Sequence, residues 1–332
     1  MVFLCAIALL GPVSGGASDA PLVVAHRGAS AYLPEHTLAA KAAAHLAGAD
    51  YIEQDVVLSR DGVPVVLHDL VLDAVTDVAR VFPDRRRDDG RFHVMDFSWA
   101  ELQRLSVHER VDPRTGNAKY PGRFPPEAAL FRIHTLDEEI SLIQGMNAGT
   151  GRTAGVYVEI KNPAAHRAAG LDITRIVLET LHRRGYRERT DPAIIQSFDP
   201  SALRRLRKEL DCRLRLVQLL AENRWGMSEA DYDAMKTPAG LRGVATYADG
   251  IGPWIGQVLT GMDREGRPKL SSLVADAHRA GLMVHGYTLR HDALPSGVSD
   301  FPELLRVLFR KAGMDGAFTD APDRVRAFLG RN

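Results

Sequence analysis

Short apolar runs alternate with stretches of helical spacing along nearly the whole chain. Leu22–Ala25, Tyr51–Leu58, Gly155–Ile160, Ala193–Ser197, residues 214–219, Gly250–Pro253, residues 283–288 and Gly316–Thr319 read as strands. Residues 63–67 read as an extension of the second run, turned back at Asp61-Gly62. Helical spacing predicts helices over 37–46, 136–146, 172–184, 200–210, 270–280, 303–311 and 323–329. With the two runs around Asp61-Gly62 counted as one unit, there are eight strand units, most followed by a helix. That alternation predicts an α/β fold with a parallel sheet covered by helices. Eight units in 332 residues fit a closed (β/α)8 TIM barrel better than an open doubly wound sheet. Residues 69–132 break the rhythm, being rich in Arg, Asp, Pro and Gly with little regular apolar spacing. They read as an insertion after the second strand unit, set at one mouth of the barrel. Its Arg85-Arg86-Arg87-Asp88-Asp89 cluster reads as a solvated turn, and residues 222–247 form a second irregular stretch.

Charge narrows the function classes. Lys+Arg and Asp+Glu both total 42, so no basic excess points to nucleic acid or to a membrane surface. An anionic substrate must then be met by local charge. The two cysteines, Cys5 and Cys212, form neither a CxxC pair nor a zinc spacing. Residues 2–10 are apolar, Gly11-Pro12 ends the run, and small residues continue to Ala20. Residues 1–20 therefore read as a secretory signal peptide, although the usual positive start is missing. Residues 21–332 are then expected as one periplasmic or secreted domain. The run falls short of the roughly 20 apolar residues that span a bilayer, so no stable membrane insertion is expected. Cys212 alone would remain, a small core hydrophobe without an intramolecular disulfide.

Reactive side chains collect at the predicted strand ends, where a barrel of this type builds its active site. His26-Arg27-Gly28 ends the first strand, His68-Asp69 the 63–67 run, and Thr319-Asp320 the last strand. Glu53 and Asp55 are spaced i, i+2 on one face of their strand, and so are Glu159 and Lys161. Gln196 and Tyr287 lie on later strands. Three carboxylates facing one barrel mouth repel one another and are costly to desolvate. A divalent cation removes that cost, and an all-oxygen shell suits Ca2+ or Mg2+. Arg27 offers a fork to a phosphate and Lys161 a point charge. His26 and His68 can serve as a general acid–base pair. Each group also has a plain structural reading: a hydrogen-bonded histidine, or an ion pair on a strand face. Their coincidence on adjacent strands favours phosphodiester cleavage. His36, in the loop after the first strand, and His285 are weaker site candidates.

Together, His26-Arg27-Gly28-Ala29, Pro34-Glu35-His36-Thr37, Glu53-Gln54-Asp55-Val56 and the stretch from Asp61 to Asp69 resemble the glycerophosphodiester phosphodiesterase family. Glu159-Ile160-Lys161, Gln196-Ser197-Phe198-Asp199 and Phe318-Thr319-Asp320-Ala321-Pro322-Asp323 extend the resemblance. Val75-Thr76-Asp77-Val78, Tyr120-Pro121-Gly122-Arg123-Phe124-Pro125 and the stretch from Tyr247 to Pro253 look like its bacterial periplasmic branch. The resemblance implies a TIM barrel that cleaves deacylated phospholipids to sn-glycerol 3-phosphate and an alcohol. It implies calcium held by Glu53, Asp55 and Glu159, with His26 and His68 as acid–base pair. Phosphate would meet Arg27 and Lys161, and Gln196 and Tyr287 would complete the substrate site. A homodimer is allowed by the same analogy. Where Tyr287 stands, many relatives carry Trp, and Asn162 follows Lys161; both changes touch the rim and leave the proposed catalytic groups in place. Two other readings keep the barrel: a phospholipase acting on intact lipids, and a secreted binding protein that has lost catalysis.

Overall fold

The computed structural model describes residues 20–330, so the signal-peptide reading falls on residues outside it. The described strands are β1 (Leu22–Ala25), β2 (Tyr51–Leu58), β3 (Pro64–Val66), β4 (Gly155–Ile160), β5 (Ala193–Ser197), β6 (Arg215–Leu220), β7 (Gly250–Pro253), β8 (Leu259–Met262), β9 (Pro268–Leu270), β10 (Met283–Leu289) and β11 (Gly316–Thr319). Eight of them pair in parallel in the order β1-β11-β10-β7-β6-β5-β4-β2, and β1 pairs with β2 to close the ring. The expected barrel is therefore present. β3 runs antiparallel to β2 outside the ring, as the Asp61-Gly62 turn predicts.

Helices between the staves bury the opposite face. The helix Ile173–Arg183 buries Ile173, Val177, Leu178 and Leu181, one stripe at helical spacing. Asp172 accepts from Arg175 N at its start, and basic residues fill its last turn, in line with the helix dipole. The helix Leu136–Thr150 starts from a capping box of Thr135 and Glu138 and ends at Gly151 in the left-handed conformation. Inside the ring, Val24, Tyr51, Tyr157, Ile194, Val217 and Phe318 form a separate apolar layer. Tyr157 packs edge-on against Tyr51 and Phe318, plugging the barrel beneath its C-terminal mouth.

The stretch 69–132, read from the sequence as an insertion, contains short helical turns and its own core, in which Leu72, Phe92, Val94, Phe97, Leu102 and Leu105 are fully buried with Val57 and Val65. Its apolar residues are spaced for many short turns instead of one period, so periodicity does not reveal them. Within 222–247, the helices Tyr232–Met235 and Pro238–Val244 form, and β8 and β9 make an unforeseen hairpin outside the barrel. The Arg85–Asp89 cluster is largely exposed, but Arg85 and Arg87 are tied to Glu101 and Asp96.

Candidate active site

Barrel register assembles the site. Asp55 is paired with Glu159 across β2 and β4, and Glu159 with Gln196 across β4 and β5, so these three side chains form a row. Glu53 precedes Asp55 by two residues and shares its face. Carboxylate oxygens of Glu53, Asp55 and Glu159 all lie within 4.8 Å of one another, and all three residues are buried. The apolar plug beneath them gives no compensation for their charge. Burial and then Asp55 push Glu159 up to about 8, and burial with repulsion from Asp55 and Glu159 raises Glu53. Asp55, buried like the others, is held low by Lys161 and His36.

Neighbouring groups satisfy part of the triad only. Gln196 Nε2 donates to Glu53 Oε1 at 2.9 Å, Arg27 N to Glu53 Oε2 at 2.9 Å, and Lys161 Nζ stands 2.8 Å from Glu159 Oε1. Asp55 Oδ2 meets His36 Nε2 at 2.8 Å, while buried Asp55 Oδ1 has no hydrogen-bond partner. An orphaned carboxylate oxygen facing two other carboxylates is what a divalent cation would complete, and Glu53, Asp55 and Glu159 fit that group. Arg27 and Gly28 both take positive φ, at 57° and 94°, which turns the chain so that the Arg27 amide meets Glu53. A Cβ on Gly28 would come within 2.8 Å of the Ala40 backbone, so the turn has no room for a side chain.

The two histidines line the same cavity as this row. His26 Nδ1 is 2.6 Å from Asp320 Oδ1, and His68 Nδ1 is 2.6 Å from Asp69 Oδ1. With Nδ1 engaged by a carboxylate, each ring has Nε2 left for substrate. Burial, then Arg27, lowers His26 to about 4; burial, then Arg27 and Lys161, does the same to His68. His26, Arg27, Glu53, Asp55, His68, Glu159, Lys161, Gln196 and Tyr287 all line one cavity of about 230 Å3. All nine sequence-predicted residues thus meet in one place. Phe198, Trp225 and Trp254 complete an aromatic wall with Tyr287, whose hydroxyl donates to the Leu220 carbonyl at 2.8 Å and leaves only its ring for a ligand. His68 and Lys161 also border a larger open cleft of about 960 Å3 beneath the insertion.

The sequence profile of the glycerophosphoryl diester phosphodiesterase family matches residues 26–324. The chain belongs to this family. It is 40% identical to a glycerophosphodiester phosphodiesterase of Haemophilus influenzae, covering 93% of this chain and 89% of that protein. It is 37% identical to one of Treponema pallidum, covering 96% and 94%. Among solved structures, a candidate glycerophosphoryl diester phosphodiesterase of Silicibacter pomeroyi superposes with a TM-score of 0.69 at 28% identity, covering 95% and 94%. An Oleispira antarctica phosphodiesterase in complex with the product sn-glycerol-3-phosphate shares the fold, with a TM-score of 0.63 at 21% identity over 94% and 98%. The protein is thus a phosphoric diester hydrolase, a glycerophosphodiester phosphodiesterase acting on a small glycerophosphodiester.

Several residues around the site were not assigned from sequence. Glu35 accepts two bonds from Arg27 Nη1 at 3.0 Å and is gripped by Arg110. Lys41 is fully buried, pairs with Glu139 at 3.1 Å and reaches His36 Nδ1 at 3.0 Å, which makes His36 a support for Asp55. Asp320 takes Arg123 and Arg290 on its second oxygen, each at 2.8 Å. His285, the weaker candidate, lies within the barrel against the Tyr157 hydroxyl at 3.1 Å and does not reach the cavity. Glu35, Asp320 and Arg123 lie within motifs quoted above, but no role was assigned to them there.

Proposed function

We propose that the chain hydrolyses glycerophosphodiesters such as glycerophosphocholine and glycerophosphoethanolamine to sn-glycerol 3-phosphate and an alcohol, using one divalent cation, Ca2+ or Mg2+. The observation that carries this reading is the buried triad with its orphaned Asp55 Oδ1, enclosed with two carboxylate-backed histidines and two cationic side chains. A cation on Glu53, Asp55 and Glu159 would hold a phosphoryl oxygen and polarise phosphorus. Arg27 and Lys161 bind the remaining phosphoryl charge. The product bound in the Oleispira antarctica structure supports the assignment of sn-glycerol 3-phosphate as product.

His26 takes the proton from the attacking hydroxyl: water gives sn-glycerol 3-phosphate directly, whereas the glycerol 2-hydroxyl gives a cyclic phosphodiester that a water must open in a second step. The His26 Nδ1 is held by Asp320 at 2.6 Å, which leaves Nε2 to accept that proton. His68 protonates the leaving alcohol. One observation favours this direction: His68 borders the wide outer cleft, which offers the alcohol an exit. The negative charge of a bound phosphodiester opposes the influence of Arg27 and Lys161 that lowers His68.

Release of sn-glycerol 3-phosphate from glycerophosphocholine is the direct assay. EDTA is expected to abolish it and Ca2+ or Mg2+ to restore it; full turnover after thorough chelation would overturn the role of the cation. His68→Ala is expected to cleave a p-nitrophenyl glycerophosphodiester nearly as well as the parent enzyme, because p-nitrophenolate leaves without a proton. No such selectivity would reverse the two histidine roles. Export to the periplasm or cell exterior is proposed from residues 1–20, as is membership of the bacterial periplasmic branch from the motifs above. Recovery of an uncleaved chain from the cytoplasm alone would overturn export.

A further inference from the structure

Each histidine of the cavity leans on a carboxylate, and each carboxylate is held from behind by an arginine of the insertion. Arg110 Nη1 donates to Asp69 Oδ2 at 2.7 Å, while Asp69 Oδ1 engages His68. Arg123 Nη2 donates to Asp320 Oδ2 at 2.8 Å, while Asp320 Oδ1 engages His26. Neither arginine lines the 230 Å3 cavity that holds the triad, although Arg110 borders the outer cleft of about 960 Å3.

The other bonds of the two guanidinium groups fix their planes. Arg110 forks onto Glu35, with Nε at 2.9 Å and Nη2 at 2.6 Å, so that one group ties Glu35 to Asp69. Arg123 forks onto Asp292 at 2.7 and 3.0 Å, donates to the Ser30 carbonyl at 3.2 Å and stacks on Tyr120. A carboxylate bound through one oxygen can pivot about that bond. One gripped at both oxygens cannot, and the imidazole it bonds is fixed with it. The rigid fork matters here, since a lysine ammonium supplies charge without defining a plane.

We propose that Arg110 and Arg123 are positioning residues for the reaction, and that the insertion orients both the acid and the base from one short segment. The proposal rests on the reading of His26 and His68 as the acid–base pair. Among the described residues, Arg110 is the one cation bonded to Asp69 Oδ2, whereas Arg290 Nε also donates to Asp320 at 2.8 Å. Loss of Arg110 therefore frees its histidine more fully than loss of Arg123.

The test compares glycerophosphocholine with the p-nitrophenyl glycerophosphodiester in Arg110→Gln, Arg110→Lys, Arg123→Lys and His68→Ala. Arg110→Gln is expected to lose about 10- to 100-fold in kcat with glycerophosphocholine, of the size typical for such supporting groups. With the p-nitrophenyl substrate, which needs no acid, its kcat is expected to stay within about 3-fold of the parent. Arg110→Lys keeps the charge and guards against a folding failure; it is expected to show the same selectivity with a smaller loss. Arg123→Lys, acting through the base, is expected to lower kcat equally for both substrates with KM unchanged. Equal losses on both substrates in folded Arg110→Lys, or full kcat in both Arg110 variants, would overturn the proposal provided His68→Ala is itself selective. Full kcat in Arg123→Lys, or a rise in KM alone, would overturn its Arg123 half. If His68→Ala shows no selectivity, the acid assignment fails and not the bracing by Arg110.

Discussion

Glu159 has a lysine nitrogen 2.8 Å away and is still pushed up to about 8, because burial and Asp55 outweigh that one ion pair. Its folded-state pKa lies above the ordinary 4.5, so the cation-free fold holds a proton that the unfolded chain releases. Stability is then fully present below pH 4.5 and is lost as pH rises toward 8. A cation needs the ionised carboxylate and cancels that loss. Added Ca2+ is therefore expected to raise the melting temperature more at about pH 8.5 than at about pH 5. A larger shift at the acid end in a thermal scan would contradict the triad as its binding site. Glu159→Gln is expected to leave the cation-free fold at least as stable, to lose the Ca2+-induced shift and to lower kcat by about 100-fold or more. That the nine predicted residues share one cavity was legible at this scale, because i, i+2 carboxylates and strand-end histidines carry their geometry with them. Arg110 and Arg123 were not, since Asp69 and Asp320 lie far from them in sequence, and Lys41 was missed although its partner His36 is close by.

Individual elements behave as their local sequences dictate, with the insertion as the exception. Thr37 caps the helix Leu38–Leu46, and Asp61-Gly62 turns β2 back onto β3. The insertion draws Val57 and Val65 from the β2–β3 hairpin into its own core, a contact that no window of the sequence displays. Phe97 is fully buried there, and Phe97→Ala is expected to destabilise by about 3–5 kcal/mol in denaturant unfolding. The same variant is expected to lower kcat more than it raises KM, since the core holds the segment bearing Arg110 and Arg123. Gly28→Ala belongs to this scale as well. Its Cβ would press on the Ala40 backbone of the first helix, so a loss of about 1–3 kcal/mol is expected, with weakened activity because the Arg27 turn must shift. Unchanged melting in that variant would show that the close approach is relieved cheaply.

Across the whole molecule, opposite charges cancel, with 42 residues of each sign. On the proposed reading, the substrate anion is drawn by Arg27 and Lys161 inside the mouth and not by a long-range field. kcat/KM for glycerophosphocholine is expected to change by less than about 3-fold between roughly 0.02 and 0.2 M salt, because pairs inside a cavity are poorly screened. A steep fall with salt would point instead to steering by the outer surface. The sequence by itself determined the alternation of staves and helices, hence the barrel, and the residue types carried at its C-terminal mouth. Both are local properties, set by periodicity and by the few residues at the end of each apolar run. Only the tertiary structure decided that Asp55 keeps an orphaned oxygen, that each histidine shares its carboxylate with an insertion arginine, and that the insertion has a core of its own. Those features depend on ring closure and on contacts between residues as far apart as His26 and Asp320, which local spacing does not encode.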